Sequence, residues 1–257
     1  MILPGSYANG FAPRDGSPAF PSLWRDCIGA WAPCLGPTGL TLRDWSVRKD
    51  HGTLVNATFK PRSLLFNGTS AYVSFASGIG SRTGSSACSL SLWMNATSVS
   101  SRQALVADWD SSGSAESFAA QVGWSSGQAG IAVRSPSVAQ VSAGTVAANV
   151  WTHLCFISGA SGTQVYVNGT RTFSSATAVT LDSGNTLSFG RAGALSSFYF
   201  GGEMDDVRLY RRVLSQAEIN MLRMRRGIAY ELAPRRRSSV AVAAFNRRRR
   251  LLLGASS

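Results

Sequence analysis

Short runs of alternating apolar and polar residues follow one another through the middle of the chain, and Gly, Ser and Asn separate them. Alternation with a period of two is typical of β-strands, and no run before residue 215 has helical periodicity. The runs lie at 64–75, 89–96, 103–109, 117–124, 129–135, 152–159, 163–173, 185–192 and 198–210. The pattern predicts an all-β fold, an antiparallel β-sandwich or jelly roll.

A short helix is predicted over residues 215–226, after the last strand. Ser215 is a suitable N-cap, and Glu218 lies three positions later, which is the spacing of a capping box. Gly227 is a suitable C-terminal stop. Three apolar residues can form one stripe along this helix: Leu214, Ile219 and Leu222.

Two Asn-Gly pairs, Asn67-Gly68 and Asn168-Gly169, each lie between strand-like runs. Both also fit the glycosylation sequon, but Asn-Gly readily adopts the positive φ angles of a tight type I′ turn. The sequence therefore predicts two β-hairpin turns at these positions.

Charge is distributed unevenly along the chain. Residues 1–210 contain 13 basic and 11 acidic side chains, whereas residues 211–257 contain 12 Arg against two Glu. A tail of this charge favours an anionic partner, which could be nucleic acid, lipid headgroups or an acidic protein surface. Aromatic residues that could stack on bases are scarce there, which disfavours nucleic acid. We expect the tail to be either solvated or ordered by assembly with other subunits.

Composition divides the chain into three parts. Residues 1–27, rich in Pro, Gly and Ser, are predicted to form an extended arm, residues 28–227 the sandwich domain, and residues 228–257 an Arg-rich tail. The first residues contain neither a basic nor an apolar signal region, so no signal peptide is expected. No apolar run approaches the roughly 20 residues that span a bilayer.

The order of the segments resembles the laminin-G-like, concanavalin A-like jelly-roll domain. The similarity rests on "GAWAP" (29–33), "LRDWSVRKDHGTLVN" (42–56), "LLFNGTSAYVSF" (64–75), "SLSLWM" (89–94), "VWTHLCFI" (150–157) and "FYFGGEMDDVRLYRRVLSQAEINML" (198–222). The last segment follows the family ending F-x-G-x-I-D-[ED]-V-R-[IL]-Y almost position for position. The resemblance covers about residues 28–223. It implies an antiparallel β-sandwich.

The long arm and the Arg-rich tail are also similar to laminin-G-like proteins of tailed bacteriophages. This second resemblance implies a non-enzymatic structural or adhesion protein of a virion, assembled in the host cytoplasm. It could bind a host-surface glycan and contact neighbouring subunits or further copies of itself. The alternative is a bacterial carbohydrate-binding module outside any virion, and a glycoside hydrolase is a third, less favoured, class.

The acidic stretch Glu203, Asp205 and Asp206 is the main candidate for chemistry. Retaining glycosidases on related jelly rolls place carboxylates at alternate strand positions, in E-x-D-x-x-E or E-x-D-x-E patterns. Here Val207 and Arg208 stand in place of a second Glu, which disfavours hydrolysis. In a regular strand Glu203 and Asp205 would face one side and Asp206 the other.

Calcium binding is the second hypothesis for the acidic residues. Calcium prefers oxygen ligands, and Asp205, Asp44 and Asp50 could lie together if the first and last strands are neighbours. The alternative is that these carboxylates cap loop amides or pair with Arg208 or Arg43. No catalytic residue is predicted, and calcium is the one candidate cofactor.

Glycan identity cannot be predicted from the aromatic residues. Trp109 and Trp124 could serve as sugar-stacking platforms or could pack in the core. His153 lies within a strand-like run and is predicted to be a packed sheet residue.

Overall fold

The computed structural model describes residues 18–84, 87–109, 116–123, 130–135, 138–179, 181, 185–192 and 198–231. The strands in this part of the chain are β1 (Cys27–Trp31), β2 (Thr41–Leu42), β3 (Gly52–Val55), β4 (Thr58–Lys60), β5 (Ser63–Asn67), β6 (Tyr72–Ser74), β7 (Cys88–Ala96), β8 (Gln103–Trp109), β9 (Glu116–Val122), β10 (Gly130–Ser135), β11 (Val138–Thr145), β12 (Thr152–Gly159), β13 (Gly162–Val167), β14 (Thr170–Ser175), β15 (Thr186–Phe189) and β16 (Gly201–Tyr210). The helices are α1 (Ile79–Thr83) and α2 (Gln216–Leu222), with 3₁₀ helices at Pro21–Trp24, Pro33–Leu35 and Ile228–Tyr230.

The strands form two antiparallel sheets. The first sheet has the order β14-β13-β12-β7-β16-β5-β4, and β1 pairs with the second half of β16. The second sheet has the order β11-β10-β9-β8-β15-β6-β3-β2. The predicted antiparallel β-sandwich is therefore confirmed.

The main hydrophobic core lies between the two sheets, because each strand turns one row of apolar side chains inward. Trp31, Phe75 and Phe189 meet there edge to face or tilted, with ring centroids 4.7 to 5.2 Å apart. Phe66 and Phe200 extend this packing toward the end of the sandwich at which β5 ends and β16 begins.

The outer face of the first sheet is covered by chain segments from both ends of the described region. These segments pack on the sheet as a second hydrophobic cluster, here called the terminal cluster, whose members include Leu23, Trp24, Trp45, Tyr166, Tyr210, Leu214, Ile219, Leu222, Ile228 and Tyr230. The indole N–H of Trp24 donates to the carbonyl of Ala229 at 2.7 Å, and the amide of Ala19 donates to the carbonyl of Glu231. The first and last 3₁₀ helices therefore contact each other as well as the sheet.

The predicted helix begins as expected but ends early. The Ser215 hydroxyl accepts from the Glu218 amide, and the Glu218 carboxylate accepts from the Ser215 amide, so the capping box is present. Its apolar stripe is buried in the terminal cluster. Regular helix stops at Leu222 rather than 226, and the chain turns through Gly227 (φ 75°) into the last 3₁₀ helix.

The two Asn-Gly pairs behave differently. Asn168 and Gly169 both have positive φ, and they join β13 to β14 in the predicted hairpin. The hairpin predicted at Asn67-Gly68 is wrong, because β5 lies in the first sheet and β6 in the second. There the Asn67 side chain accepts the backbone N–H groups of residues 69, 70 and 71, which stabilises a crossover between the sheets.

Several sequence predictions lie outside the described residues. They include most of the predicted arm, Trp124 and the Arg clusters of the tail. Within the described residues, no helix is long and apolar enough to cross a membrane.

Candidate functional site

The acidic stretch of β16 contains a β-bulge. Asp206 has φ 46°, and the pairing of β16 with β7 shifts register between Asp205 and Arg208. Met204 and Val207 both face the main core, so one extra residue is inserted between them. The predicted alternation of side chains therefore fails at Asp206, because neither Asp205 nor Asp206 lies on the side of the strand that faces the main core.

Asp206 and Arg208 form a buried ion pair. The Arg208 Nε donates to Asp206 Oδ1 at 2.8 Å, and the amide of Gly227 donates to Asp206 Oδ2 at 2.9 Å. The Arg208 guanidinium lies between the rings of Trp24 and Tyr230, about 4.5 Å from each centroid. A buried charge must be paired and hydrogen-bonded to be tolerated, and this one links β16 to the terminal cluster.

Asp205 is fully buried beside this pair. Its Oδ1 accepts the amides of Cys34 at 3.0 Å and Asp206 at 2.8 Å, whereas its Oδ2 lies 3.9 Å from Arg226 Nη1. Burial, and then the neighbouring charge of Asp206, raise the pKa of Asp205 to about 7. We use the name β16 seam for Asp205, Asp206 and Arg208 together with their contacts to Arg226 and Gly227.

Protein groups contact each of the residues predicted to bind calcium, although Asp205 Oδ2 accepts no hydrogen bond. Asp44 accepts the amides of Ala30, Ser46 and Asp50 and the Ser46 hydroxyl, all between 2.8 and 2.9 Å. Asp50 pairs with the buried Arg82 at 3.0 Å. No group of three or more Asp, Glu, His or Cys that could hold a metal ion occurs among the described residues. Calcium binding by Asp205, Asp44 and Asp50 therefore stays a prediction.

The remaining candidates for hydrolytic chemistry also have structural partners. Glu203 accepts a hydrogen bond from the Ser63 hydroxyl on β5. His153 is fully buried, with its Nε2 2.9 Å from the Ser91 hydroxyl, and burial lowers its pKa to about 3. A histidine that stays neutral inside a sheet is a packed residue, as predicted.

A polar groove opens at the end of the sandwich where β5 ends and β16 begins. It is lined by residues 68–69 of the β5–β6 connection, residues 97–98 and 101–103 around the β7–β8 connection, and residues 198, 199 and 201. Its volume is about 620 Å³. We call it the rim groove. Grooves of this size are typical of sites for small ligands.

Hydrogen bonds hold the three connections that form the rim groove. The Gly68 amide donates to the Phe200 carbonyl at 3.0 Å, and the Thr97 amide donates to the Gly201 carbonyl at 2.9 Å. The Gln103 side chain accepts from the Gly201 amide at 2.8 Å and donates to the Ser98 carbonyl at 2.8 Å. The groove is therefore built on loops whose backbones are tied together.

The chemistry of the rim groove is polar but nearly uncharged. Four hydroxyl-bearing residues line it: Thr69, Thr97, Ser98 and Ser101. The groove is also lined by Tyr199, Phe198 and Arg102. None of the described residues that line the groove is acidic. Such a surface can donate and accept hydrogen bonds and can pack against an apolar face.

Phe198 has an unusual backbone conformation, with φ 55°. Positive φ is rare and costly for a bulky residue, and it persists only where surrounding contacts enforce it. Here the Phe198 carbonyl accepts from the Ala104 amide at 2.8 Å, and its ring lies under the Arg102 guanidinium at 4.1 Å. Strain of this kind is concentrated at functional sites, which supports the groove as the candidate site.

Sequence reasoning did not identify this groove. Its residues are common Ser, Thr and Gly in three separate connections, and only the fold brings them together. Trp109, one of the two predicted sugar platforms, is 5% exposed and packs with four alanines of a small cluster that Phe198 also contacts.

Residues 67–220 match the family model Laminin_G_3, described as the concanavalin A-like lectin/glucanases superfamily. The match spans more than half of the chain. The chain belongs to the concanavalin A-like lectin/glucanase superfamily. A search of curated protein sequences finds no match. The expected laminin-G-like family is thereby confirmed.

Solved structures share this superfamily fold at low sequence identity. Trypanosoma rangeli sialidase in complex with sialic acid is 15% identical over 77% of this chain, with a TM-score of 0.60. Domain 4 of AbnA, a GH43 extracellular arabinanase from Geobacillus stearothermophilus, in complex with arabinotriose, is 17% identical over 76% of this chain and 97% of the domain, with a TM-score of 0.61. The chain spans about a third of the length of the sialidase. These likenesses establish the fold alone.

The expectation of a virion structural protein is wrong. The similar structures include sialidases and an arabinanase domain, and these do not indicate a virion component. That expectation depended on the arm and tail, most of which lie outside the described residues. The concanavalin A-like sandwich itself supports many functions, so the fold could not decide the biological setting.

Proposed function

We propose that this chain is a carbohydrate-binding module that holds an oligosaccharide in the rim groove. The observation that supports the proposal is the groove itself, which combines hydroxyl groups and aromatic rings on connections fixed by hydrogen bonds. Sugars present alternating hydroxyl edges and apolar faces, and such a lining complements both.

Preorganisation favours binding here. The connections that form the groove are held by backbone and Gln103 hydrogen bonds, so little ordering of the protein accompanies binding. Tyr199 and Phe198 offer aromatic surface with few rotatable bonds. Domain 4 of the Geobacillus arabinanase, which has the same fold, was solved with arabinotriose.

We further propose that the module binds without hydrolysing its ligand. The β16 carboxylates engage Ser63, loop amides and Arg208, and the strand lacks a second Glu at the spacing that retaining glycosidases use. The sialidase activity of the Trypanosoma protein belongs to a longer chain, of which the match covers 33%.

Calorimetric titration with a panel of neutral and acidic oligosaccharides tests the proposal. At least one should bind, and Tyr199→Ala should weaken that binding by about tenfold or more, as expected for a central aromatic contact. Tyr72→Ala is the matched control, since Tyr72 is equally half-buried but lies on β6 outside the groove. Equal losses in both variants, or no binding of any sugar, would contradict the proposal.

The same oligosaccharides should be recovered intact after long incubation with the protein. Release of reducing sugar that Glu203→Gln abolishes would instead show a glycoside hydrolase.

A further inference from the structure

The tertiary structure separates the positive charges of the chain from the negative ones. Basic and acidic side chains are nearly equal in number over residues 1–210. Among the described residues, however, Asp26 is the one exposed acidic side chain, and the others are buried or half-buried. Ten basic side chains of the described residues are exposed: Arg25, Arg43, Arg48, Lys49, Lys60, Arg62, Arg171, Arg211, Arg223 and Arg225. The described surface is therefore strongly basic.

Several of these cations lie together over the terminal cluster. Arg25 follows the first 3₁₀ helix, and the next carbonyl along the chain accepts the Arg211 amide at 2.9 Å. Helix α2 contacts the first and last 3₁₀ helices, and its C-terminal end leads into Arg223 and Arg225. We call the surface formed by Arg25, Arg211, Arg223 and Arg225 the basic face.

The charge of the basic face is only partly neutralised. Arg211 lies 3.5 Å from the carboxylate of Asp26, and Arg225 pairs with Glu231. The other two arginines of the face are exposed and have no acidic partner within the described part of the chain: Arg25 and Arg223. A surface with an excess of positive charge attracts an anionic partner.

Exposed apolar side chains interrupt the basic face. Met224, which lies between Arg223 and Arg225, is 71% exposed, and Val213 is 48% exposed. Basic residues around exposed apolar side chains suit the interface between a membrane and water. There the cations contact lipid headgroups while the apolar side chains enter the boundary of the acyl chains.

We propose that the basic face binds a membrane surface that carries anionic lipids. Nucleic acid fits this face less well, because the rings of Trp24 and Tyr230 in the terminal cluster are buried and cannot stack on bases. The Arg clusters of the tail, 235–237 and 247–250, follow the terminal cluster in sequence and add positive charge. This binding does not involve the rim groove, so it goes beyond the proposed function.

Flotation of the full chain with lipid vesicles tests the proposal. Vesicles of phosphatidylcholine alone are compared with vesicles that also contain about 30% phosphatidylserine. We expect the anionic vesicles to bind the chain about tenfold or more tightly, because each basic residue near such a surface contributes roughly fivefold. The preference should shrink between about 50 and 500 mM salt, since salt screens exposed charges.

The double substitution Arg25→Gln and Arg223→Gln should weaken binding to anionic vesicles by about tenfold or more. The control of equal charge change is the double substitution Arg48→Gln and Arg191→Gln. Arg48 contacts the backbone of α1, and Arg191 lies over the Tyr72 ring on the second sheet, so this variant should bind nearly as the wild-type protein does. Melting temperatures establish that each variant is folded.

Met224→Gln distinguishes a membrane from a soluble polyanion. It should weaken vesicle binding severalfold, because an apolar contact with the bilayer is lost, and it should leave binding to dextran sulfate unchanged. Equal binding of both kinds of vesicle, or equal losses in the two double variants, would overturn the proposal. Binding to dextran sulfate or duplex DNA as tight as to vesicles, with no effect of Met224→Gln, would assign the face to a soluble polyanion instead.

Discussion

The rim groove and the β16 seam are both polar, yet they are built in opposite ways. In the seam Asp205, Asp206 and Arg208 are buried: Asp206 contacts Arg208, and Asp205 Oδ1 accepts two amides. In the groove the lining is hydroxyl-rich, nearly uncharged and open. The carboxylates of the seam are concentrated on one strand and are conspicuous in the sequence. Protein groups nevertheless occupy most of their hydrogen-bond acceptor positions.

The comparison shows that a conspicuous charge pattern can be structural while a site consists of ordinary residues. Buried charges must be matched internally, because an unmatched one costs several kcal/mol. A binding site instead keeps its polar groups available to a ligand. Removing a seam residue should therefore affect stability, and removing a groove residue should affect binding.

The largest expected effect is the loss of the seam arginine. Arg208→Met leaves the Asp206 carboxylate buried without its ion-pair partner, so we expect a loss of about 3–5 kcal/mol in the free energy of unfolding. Urea denaturation measures it. Arg211→Met, which removes a 55% exposed arginine that pairs with Asp26 at the surface, should cost less than about 1 kcal/mol.

Affinity for the best oligosaccharide should be the same in Arg208→Met as in the wild-type protein at a temperature where both are folded. If the variant instead loses binding and keeps its stability, the division between seam and groove is wrong.

The second effect is a dependence of stability on pH through Asp205. The pKa of Asp205 is about 7 in the folded protein against an ordinary 3.8, so the folded state retains a proton that the unfolded state releases. Stability should therefore fall as pH rises from about 4 to about 7, by up to roughly 4 kcal/mol from this group.

Asp205→Asn should remove this dependence and should be more stable than the wild-type protein at pH 8. Urea denaturation at pH 5 and pH 8 gives the comparison, and Asp26→Asn, at a partly exposed aspartate, serves as the control. A wild-type pH dependence that persists unchanged in Asp205→Asn would show that the group responsible lies elsewhere.

The smallest of the three stability effects concerns Asp44. Asp44→Ala leaves amides of Ala30 and Ser46 without their acceptor, which should cost about 1–3 kcal/mol. Because both Asp44 carboxylate oxygens already accept hydrogen bonds from the protein, we expect the loss to be equal with calcium and with a chelator. A melting temperature of the wild-type protein that calcium raises, and that Asp44→Ala no longer raises, would instead establish the calcium site suggested by the sequence.

The sequence alone determined most of the strands after residue 63, the start of the last helix and the family. Alternating apolar positions report which side chains face a core, and the capping box at Ser215 and Glu218 depends on residues three apart. Both are local properties of the chain. The ending of the family pattern, residues 198–222, was also sufficient to predict the sandwich.

Only the tertiary structure decided what the polar residues do. The bulge at Asp206, the crossover at Asn67 and the rim groove all depend on which segments pair, and those partners lie far apart in sequence. Local periodicity contains no information about an inserted residue in a strand or about which loops meet at one end of a sandwich. The physical reason is that these features follow from long-range strand pairing and from the need to satisfy buried charges, which the three-dimensional packing alone specifies.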